Sequence, residues 1–163
     1  MSFLSEGKKK EAEFSELLLQ KYGGEIVPTS TSDDIDKHID VAWIPPEGKR
    51  KCLFDVKGKR KDSRSDNIAS EENTWVEFRS VRGNIGSLLG KEDYIAFETD
   101  ASWVIVRREE FANKCFSKIK ENKIYTENPN ENFLLYSREG RKDIIMRIPI
   151  SLAAEMACMV IDK

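Results

Sequence analysis

The segments HIDVAWI (residues 38–44) and KCLFDVK (51–57) stand on either side of the turn cluster PPEGKR (45–50). Both outer segments are rich in β-branched and aromatic residues. Two such runs around a short turn containing Pro and Gly are typical of an antiparallel β-hairpin. One face of this hairpin is predicted to pack on the core, because it carries a continuous apolar set: Val41, Trp43, Cys52, Phe54 and Val56.

The charged side chains of the hairpin fall on its other face. A turn centred between Glu47 and Gly48 pairs residues whose numbers sum to 95, so it places Asp40 opposite Asp55. Side chains at such positions lie about 5 Å apart, and two carboxylates there repel each other. Lys57 projects from the same face as Asp55. Two carboxylates beside a lysine suit Mg²⁺ or Mn²⁺, with water and phosphate oxygens completing the coordination. The alternative is an ordinary solvated strand face.

The rest of the chain predicts an α/β fold in a single domain, residues 1–163, with a central mixed β-sheet flanked by helices. Residues 74–78 fit a strand or the start of a helix. The sequence predicts three helices, at 8–22, 108–120 and 152–161, the last with Ser151 as its N-cap. Phe111, Cys115, Phe116 and Ile119 form the apolar face of the second helix. The strands outside the hairpin are predicted at 25–28, 93–98, 102–106, 133–136 and 143–150, and a polar loop at 29–36.

Composition excludes several classes of protein. The chain has 163 residues and a net charge of −2, so it is not a uniformly basic nucleic-acid coat protein. Its single histidine, His38, excludes sites that need two. Its three cysteines are widely spaced, which disfavours a thiolate zinc site or a disulfide scaffold. The sequence contains no nucleotide-binding motif, signal peptide or membrane span. We therefore expect a cytoplasmic protein with no membrane association and no nucleotide cofactor.

Basic residues are concentrated around the second hairpin strand. Eight lie between positions 49 and 64, opposed by Asp55 and Asp62. Such a rim suits contacts with the phosphate backbone of DNA, although a solvated loop is the alternative. The candidate DNA-binding residues are Lys49, Lys51, Lys59, Arg60, Lys61 and Arg64.

Asp40, a spacer of fourteen residues and then Asp55-Val56-Lys57 resemble the core of the PD-(D/E)xK nucleases. Ile39 stands where that motif has proline. A glutamate on an upstream helix is a further feature of the family, and Glu11 is our first candidate for it. The order of elements is most similar to the Holliday-junction-resolvase branch. The resemblance covers residues 7–61.

The resemblance implies a metal-dependent DNA endonuclease with a restriction-endonuclease-like core, and we expect a homodimer for paired cuts. The hairpin and helix predicted within 121–163 would be a C-terminal addition to that core. Asp40, Asp55 and the carbonyl of Val56 would bind one or two Mg²⁺ or Mn²⁺ ions. Glu11 would hold the second metal or its water. Lys57 would position the attacking water or help to deprotonate it. Cleavage of branched DNA, in recombination or repair, is the first expectation within this class.

Some assignments stay open at this stage. Glu13 is the second candidate for the helical glutamate. His38 is a site residue or an exposed loop-end residue, and Glu77 lines the site or has a structural role. Trp75 and Trp103 fit a core or interface better than a base-stacking platform. The alternative functions are an exonuclease, a restriction- or repair-type endonuclease, a catalytically silent module that binds DNA or a protein, and an unrelated α/β interaction protein.

Overall fold

The computed structural model describes residues 6–30, 37–48 and 50–163. Lys49 and most of the predicted loop at 29–36 lie outside them. The described chain is a mixed α/β fold with two mixed sheets and three α-helices. The helices are α1 (Glu6–Tyr22), α2 (Arg108–Lys118) and α3 (Ile150–Glu155). The strands are β1 (Glu25–Val27), β2 (Val41–Ile44), β3 (Cys52–Lys57), β4 (Asn73–Arg79), β5 (Tyr94–Glu98), β6 (Ser102–Arg107), β7 (Ile124–Tyr125), β8 (Leu135–Tyr136), β9 (Ile144–Pro149) and β10 (Ala157–Asp162).

The first sheet contains the predicted hairpin, and its strand order is β1-β2-β3-β5-β6-β10. Val41 pairs with Phe54 and Trp43 with Cys52, which confirms the predicted register between β2 and β3, although the ladder does not extend to the predicted pair of Asp40 and Asp55. Strands β3 and β5 are parallel, and the other neighbours in this sheet are antiparallel. The strands predicted at 93–98 and 102–106 are confirmed as β5 and β6.

Helix α1 covers one face of the first sheet. Phe14 and Leu18, four residues apart and so on one side of the helix, are fully buried. They pack with Val41, Phe54 and the other apolar residues of the hairpin. The helix ends before Gly23 and Gly24, which both have positive φ. The predicted helix and the predicted apolar hairpin face are thus confirmed, and this face packs against α1.

The second sheet, in the order β4-β9-β8-β7, packs against the opposite face of the first. Val76 of β4 and Met146 of β9 share a core with Ile95 and Phe97 of β5. Phe111 of α2 completes that core. Residues 74–78 are therefore strand. Strands β8 and β9 lie within the predicted segments 133–136 and 143–150, but β8 is shorter than predicted, because it begins only at Leu135.

The C-terminal prediction is wrong beyond Glu155. Helix α3 begins at Ile150 after the N-cap Pro149, so Ser151 is not the cap. The chain then continues as β10, which pairs antiparallel with β6. A short apolar run such as Ala157–Ile161 fits a helix or a strand by its pattern, and the open edge of β6 supplies the hydrogen bonds that decide for a strand.

Two smaller predictions for α2 are also corrected. The helix ends at Lys118, and Phe116 is 47% exposed instead of lying on the buried face with Phe111 and Cys115. No helix in the described part of the chain is long and apolar enough to cross a membrane.

Candidate active site and nucleic-acid pocket

Strand β3 carries the central pair of the candidate site. Asp55 is 3% exposed, and its Oδ2 lies 3.2 Å from Nζ of Lys57. Side chains alternate along a strand, so both residues project away from α1 and toward the second sheet. Oδ2 of Asp55 accepts no hydrogen bond from the described residues, and the contact with Lys57 is an ion pair without hydrogen-bond alignment. One carboxylate oxygen is thus buried with unused bonding capacity.

Asp40 contacts the same strand at the end of the hairpin. Its N–H donates to the carbonyl of Phe54 over 2.8 Å, although Val41 is the residue paired with Phe54. Asp40 precedes β2, so this bond continues the contact with β3 beyond the last residue pair of the hairpin, and the ladder does not include the predicted pair of Asp40 and Asp55. Oδ2 of Asp40 accepts the N–H of Val56 over 2.8 Å. The carboxylate of Asp40 is thus fixed at the peptide that joins Asp55 to Val56.

The charges around Lys57 favour its cationic form. Burial by itself lowers the pKa of Lys57, but the neighbouring charge of Asp55 raises it. Arg60 opposes this effect, while Glu77 and Asp40 reinforce it, and the pKa ends above its ordinary value of 10.5. Lys57 is therefore an ammonium group held between carboxylates at neutral pH.

Glu92 was missed by the sequence analysis. It is 1% exposed, and neither of its carboxyl oxygens has a hydrogen-bond partner among the described residues. Nε of Arg108 lies 3.7 Å from Oε1. Burial, and then the charge of Asp55, raise the pKa of Glu92 to about 9. A neutral carboxyl group therefore lies within the electrostatic range of Asp55. Nothing in the sequence around Glu92 predicts that it is buried, because its burial depends on the packing of segments that are distant in the chain.

The donor set at β3 fits a hard divalent cation with few protein ligands. No group of three or more His, Cys, Asp or Glu side chains in the described residues is arranged to hold a metal. Mg²⁺ usually keeps several waters and takes one or two carboxylates plus substrate phosphate oxygens. Asp40 and Asp55 supply two carboxylates, and Oδ2 of Asp55, which accepts no hydrogen bond from the described residues, is a suitable ligand atom.

The helical glutamates lie on the other side of the sheet. Glu11 belongs to α1, and its Oε2 is 3.3 Å from Nζ of Lys8. Glu13 pairs with Lys10 over 3.4 Å. Neither has a contact among the described residues that joins it to Asp55 or Lys57. Their part in the site remains a prediction.

The other two possible site residues, His38 and Glu77, have defined positions. Nε2 of His38 lies 2.7 Å from the carbonyl oxygen of Ile85, a bond that requires the proton on Nε2. His38 is half-buried rather than exposed, with φ of 60°. Glu77 lines the same pocket as Lys57. Glu77 is therefore placed near the candidate site, whereas His38 links two loops.

The five candidate DNA-binding residues that the structure describes separate into three groups. Arg60, Lys61 and Arg64 line a pocket of about 500 Å³ together with Lys57. Lys59 forms ion pairs with Glu71 and Asp100, which offset its charge. Lys51 lines a different pocket at the opposite end of β3. It is six residues from Lys57, which corresponds to about 20 Å along an extended strand. Lys49 lies outside the described residues.

Aromatic side chains form a further part of the first pocket. Trp75 of β4 and Tyr136 of β8 have ring centroids 6.1 Å apart, and both line it. Trp103 is 1% exposed in the core, as predicted, but Trp75 is half-exposed. The sequence analysis missed Tyr136 and also Arg138, whose Nε donates to buried Asp143 over 2.6 Å.

The chain was compared with family models, curated proteins and solved structures, and none of them matches it.

Proposed function

We propose that the chain is a metal-dependent DNA endonuclease that hydrolyses phosphodiester bonds by the chemistry of the PD-(D/E)xK nucleases. The observation that carries this proposal is the arrangement on β3. Asp55 is buried with one oxygen that accepts no hydrogen bond in the described part of the chain, Lys57 lies 3.2 Å away, and Asp40 is fixed at the following peptide. The mixed sheet, with α1 on one face and a parallel β3–β5 pair beside the hairpin, supports a restriction-endonuclease-like core.

In this mechanism, the carboxylates of Asp40 and Asp55 and the carbonyl of Val56 would hold Mg²⁺ or Mn²⁺. When bound, such an ion stabilises negative charge on the scissile phosphate and the leaving oxygen. Lys57 donates its Nζ hydrogens to the attacking water or to a phosphate oxygen, which orients the water and offsets the developing charge. Glu11 remains the proposed helical carboxylate.

The proposed substrate is branched DNA. One site cuts one strand, so we further propose that a homodimer makes paired cuts, as a junction-resolving activity requires. Light scattering of the purified chain, with and without DNA, measures its oligomeric state. If the chain cleaves a four-way junction while it is bound as a monomer, the proposal of a homodimer is contradicted.

The test is cleavage of labelled duplex, single-stranded, flap and four-way-junction DNA with Mg²⁺ or Mn²⁺, against an EDTA control. Asp55→Asn is expected to lower the rate by at least about a hundredfold, because a bound metal contributes several kcal/mol to transition-state stabilisation. Glu47→Gln removes the same charge from the exposed hairpin turn and is the matched control.

Two results would contradict the proposal. Cleavage that survives in Asp55→Asn would show that another site is responsible. Tight DNA binding without cleavage of any substrate would indicate a catalytically silent DNA-binding module, which the basic pocket beside Lys57 favours as the second candidate.

A further inference from the structure

The pocket beside the Asp55–Lys57 pair has the size and lining of a ligand site. Its volume of about 500 Å³ is in the usual range for such sites. Lys57 forms part of its wall, so a ligand inside it lies next to the candidate catalytic residues. Trp75 and Tyr136 supply two aromatic rings whose planes meet at 51°.

The position of the Trp75 side chain in the pocket is fixed by a hydrogen bond. Its indole N–H donates to the carbonyl of Lys61 over 2.9 Å, which ties the ring to the basic loop. The chain has three tryptophans, and the other two, Trp43 and Trp103, are 5% and 1% exposed in the core. Trp75 is thus the tryptophan whose ring lines a pocket.

The same pocket carries an excess of positive charge, because five basic side chains line it against the two carboxylates of Asp62 and Glu77. Arg60, Lys61 and Arg64 are exposed, and none has an ion-pair partner in the described part of the chain. Their neighbour Lys59, by contrast, is paired with two carboxylates. A cationic surface beside aromatic rings is the usual construction of sites for single-stranded nucleic acid.

Side-chain amides connect the walls of the pocket. Asn128 donates to the carbonyl of Asp62 over 2.9 Å, and Asn132 donates to Asn73 over 3.1 Å. Nε of Arg147 in turn donates to Asn132 over 2.8 Å. The basic loop, β4 and the segment before β8 are thereby held together, so the pocket is formed before a ligand arrives.

We propose that this pocket binds an unpaired nucleotide of single-stranded DNA. The base stacks on the ring of Trp75 and meets Tyr136 at an angle, and the flanking phosphates contact Arg60, Lys61 and Arg64. An adjacent phosphodiester then lies beside Lys57. In a duplex the bases are stacked inside and do not reach the rings, so single strands and flaps bind more tightly than fully paired DNA. The choice of DNA as the strand and the position of the cut rest on the proposed nuclease function, but the binding of an unpaired nucleotide does not.

The test is the binding of fluorescently labelled single-stranded, duplex and flap DNA, and of single-stranded RNA, to the full chain in EDTA at fixed salt. Trp75→Leu is compared with Trp75→Phe. Both lose the hydrogen bond to Lys61, and only the second keeps an aromatic ring. Trp75→Leu is expected to weaken single-strand binding by about 5- to 150-fold, the range for loss of one stacked base, while Trp75→Phe stays close to the original. Tyr136→Leu is expected to act in the same direction.

Equal affinity of Trp75→Leu and Trp75→Phe, with both folded by thermal melting, would overturn the proposal. Equal binding of duplex and single strands, or tighter binding of RNA than of DNA, would also overturn it. The same experiments distinguish a failure of the nuclease proposal from a failure of the pocket proposal. Single-strand binding that depends on Trp75, without metal-dependent cleavage, supports the pocket and contradicts the enzyme.

Discussion

The carboxylate of Asp40 accepts the backbone N–H of Val56 over 2.8 Å, so the first acid of the candidate site is also a structural link between β2 and β3. A hydrogen bond to a charged group contributes about 1.5–3 kcal/mol. The same side chain therefore has a structural role, which is separable from the metal binding that we propose for it.

Two substitutions of Asp40 separate these roles. Asp40→Asn keeps an oxygen acceptor for Val56 and is expected to change the free energy of unfolding by less than about 1 kcal/mol. Asp40→Ala removes the acceptor and is expected to lose about 1.5–3 kcal/mol. Both lose metal-dependent cleavage. Urea denaturation in EDTA, beside a cleavage assay, distinguishes them, and equal stability of the two variants would exclude the structural role.

Lys57 is the counter-ion of a buried carboxylate. Lys57→Met leaves Asp55 buried and unpaired, and is expected to lower the free energy of unfolding by about 3–5 kcal/mol. Asp55→Asn in the Lys57→Met background removes the uncompensated charge and is expected to restore much of that loss. Urea denaturation of the two single variants and the double variant at pH 7 measures the coupling. If the effects of the two substitutions are additive, the 3.2 Å contact between Asp55 and Lys57 contributes nothing to the free energy of unfolding.

Glu92 makes stability depend on pH in a defined direction. Its pKa is raised from the ordinary 4.5 to about 9. Between these values the folded chain keeps a proton that the unfolded chain has released, so the free energy of unfolding falls as pH rises, by about 1.4 kcal/mol per pH unit. Glu92→Gln removes this dependence.

The stability of Glu92→Gln relative to the original protein is therefore expected to increase from about pH 5 to about pH 9 and then to level off. Urea denaturation across this range in EDTA measures the difference, and taking the difference cancels the other titrating groups. A constant difference would mean that Glu92 ionises in the folded protein much as it does in the unfolded chain.

Gly24, in the connection between α1 and β1, can be compared with Gly140 as a matched control. Both have positive φ, of 83° and 74°. A Cβ at Gly24 would lie 2.2 Å from the carbonyl oxygen of Ile44, whereas a Cβ at Gly140 meets no atom within 4 Å. Gly140→Ala is expected to cost about 1–2 kcal/mol from the backbone conformation alone.

Gly24→Ala is expected to cost more than Gly140→Ala by at least about 2 kcal/mol, because a backbone atom of β2 must also move. Thermal or urea denaturation of the two variants measures this. Equal losses would mean that β1 and β2 separate easily at this point.

The hairpin was predictable because its information is local. The alternation of apolar and polar residues around 45–50 fixed the faces and the register, and helical spacing placed Phe14 and Leu18 toward it. The last strand was not predictable in the same way. The apolar run Ala157–Ile161 has no decisive period, and its conformation follows from the free edge of β6.

The candidate site likewise has features that the local sequence predicts and features that depend on tertiary contacts. Asp55 and Lys57 are two residues apart on one strand, so the sequence alone put them on one face. The burial of Glu92, and the pocket formed by Trp75, Tyr136 and the loop at 58–64, join segments far apart in the chain. Short-range periodicity determined the strand that carries the candidate site. Only the packing of the second sheet against the first decided what surrounds it, because burial and electrostatic environment depend on contacts that no local pattern encodes.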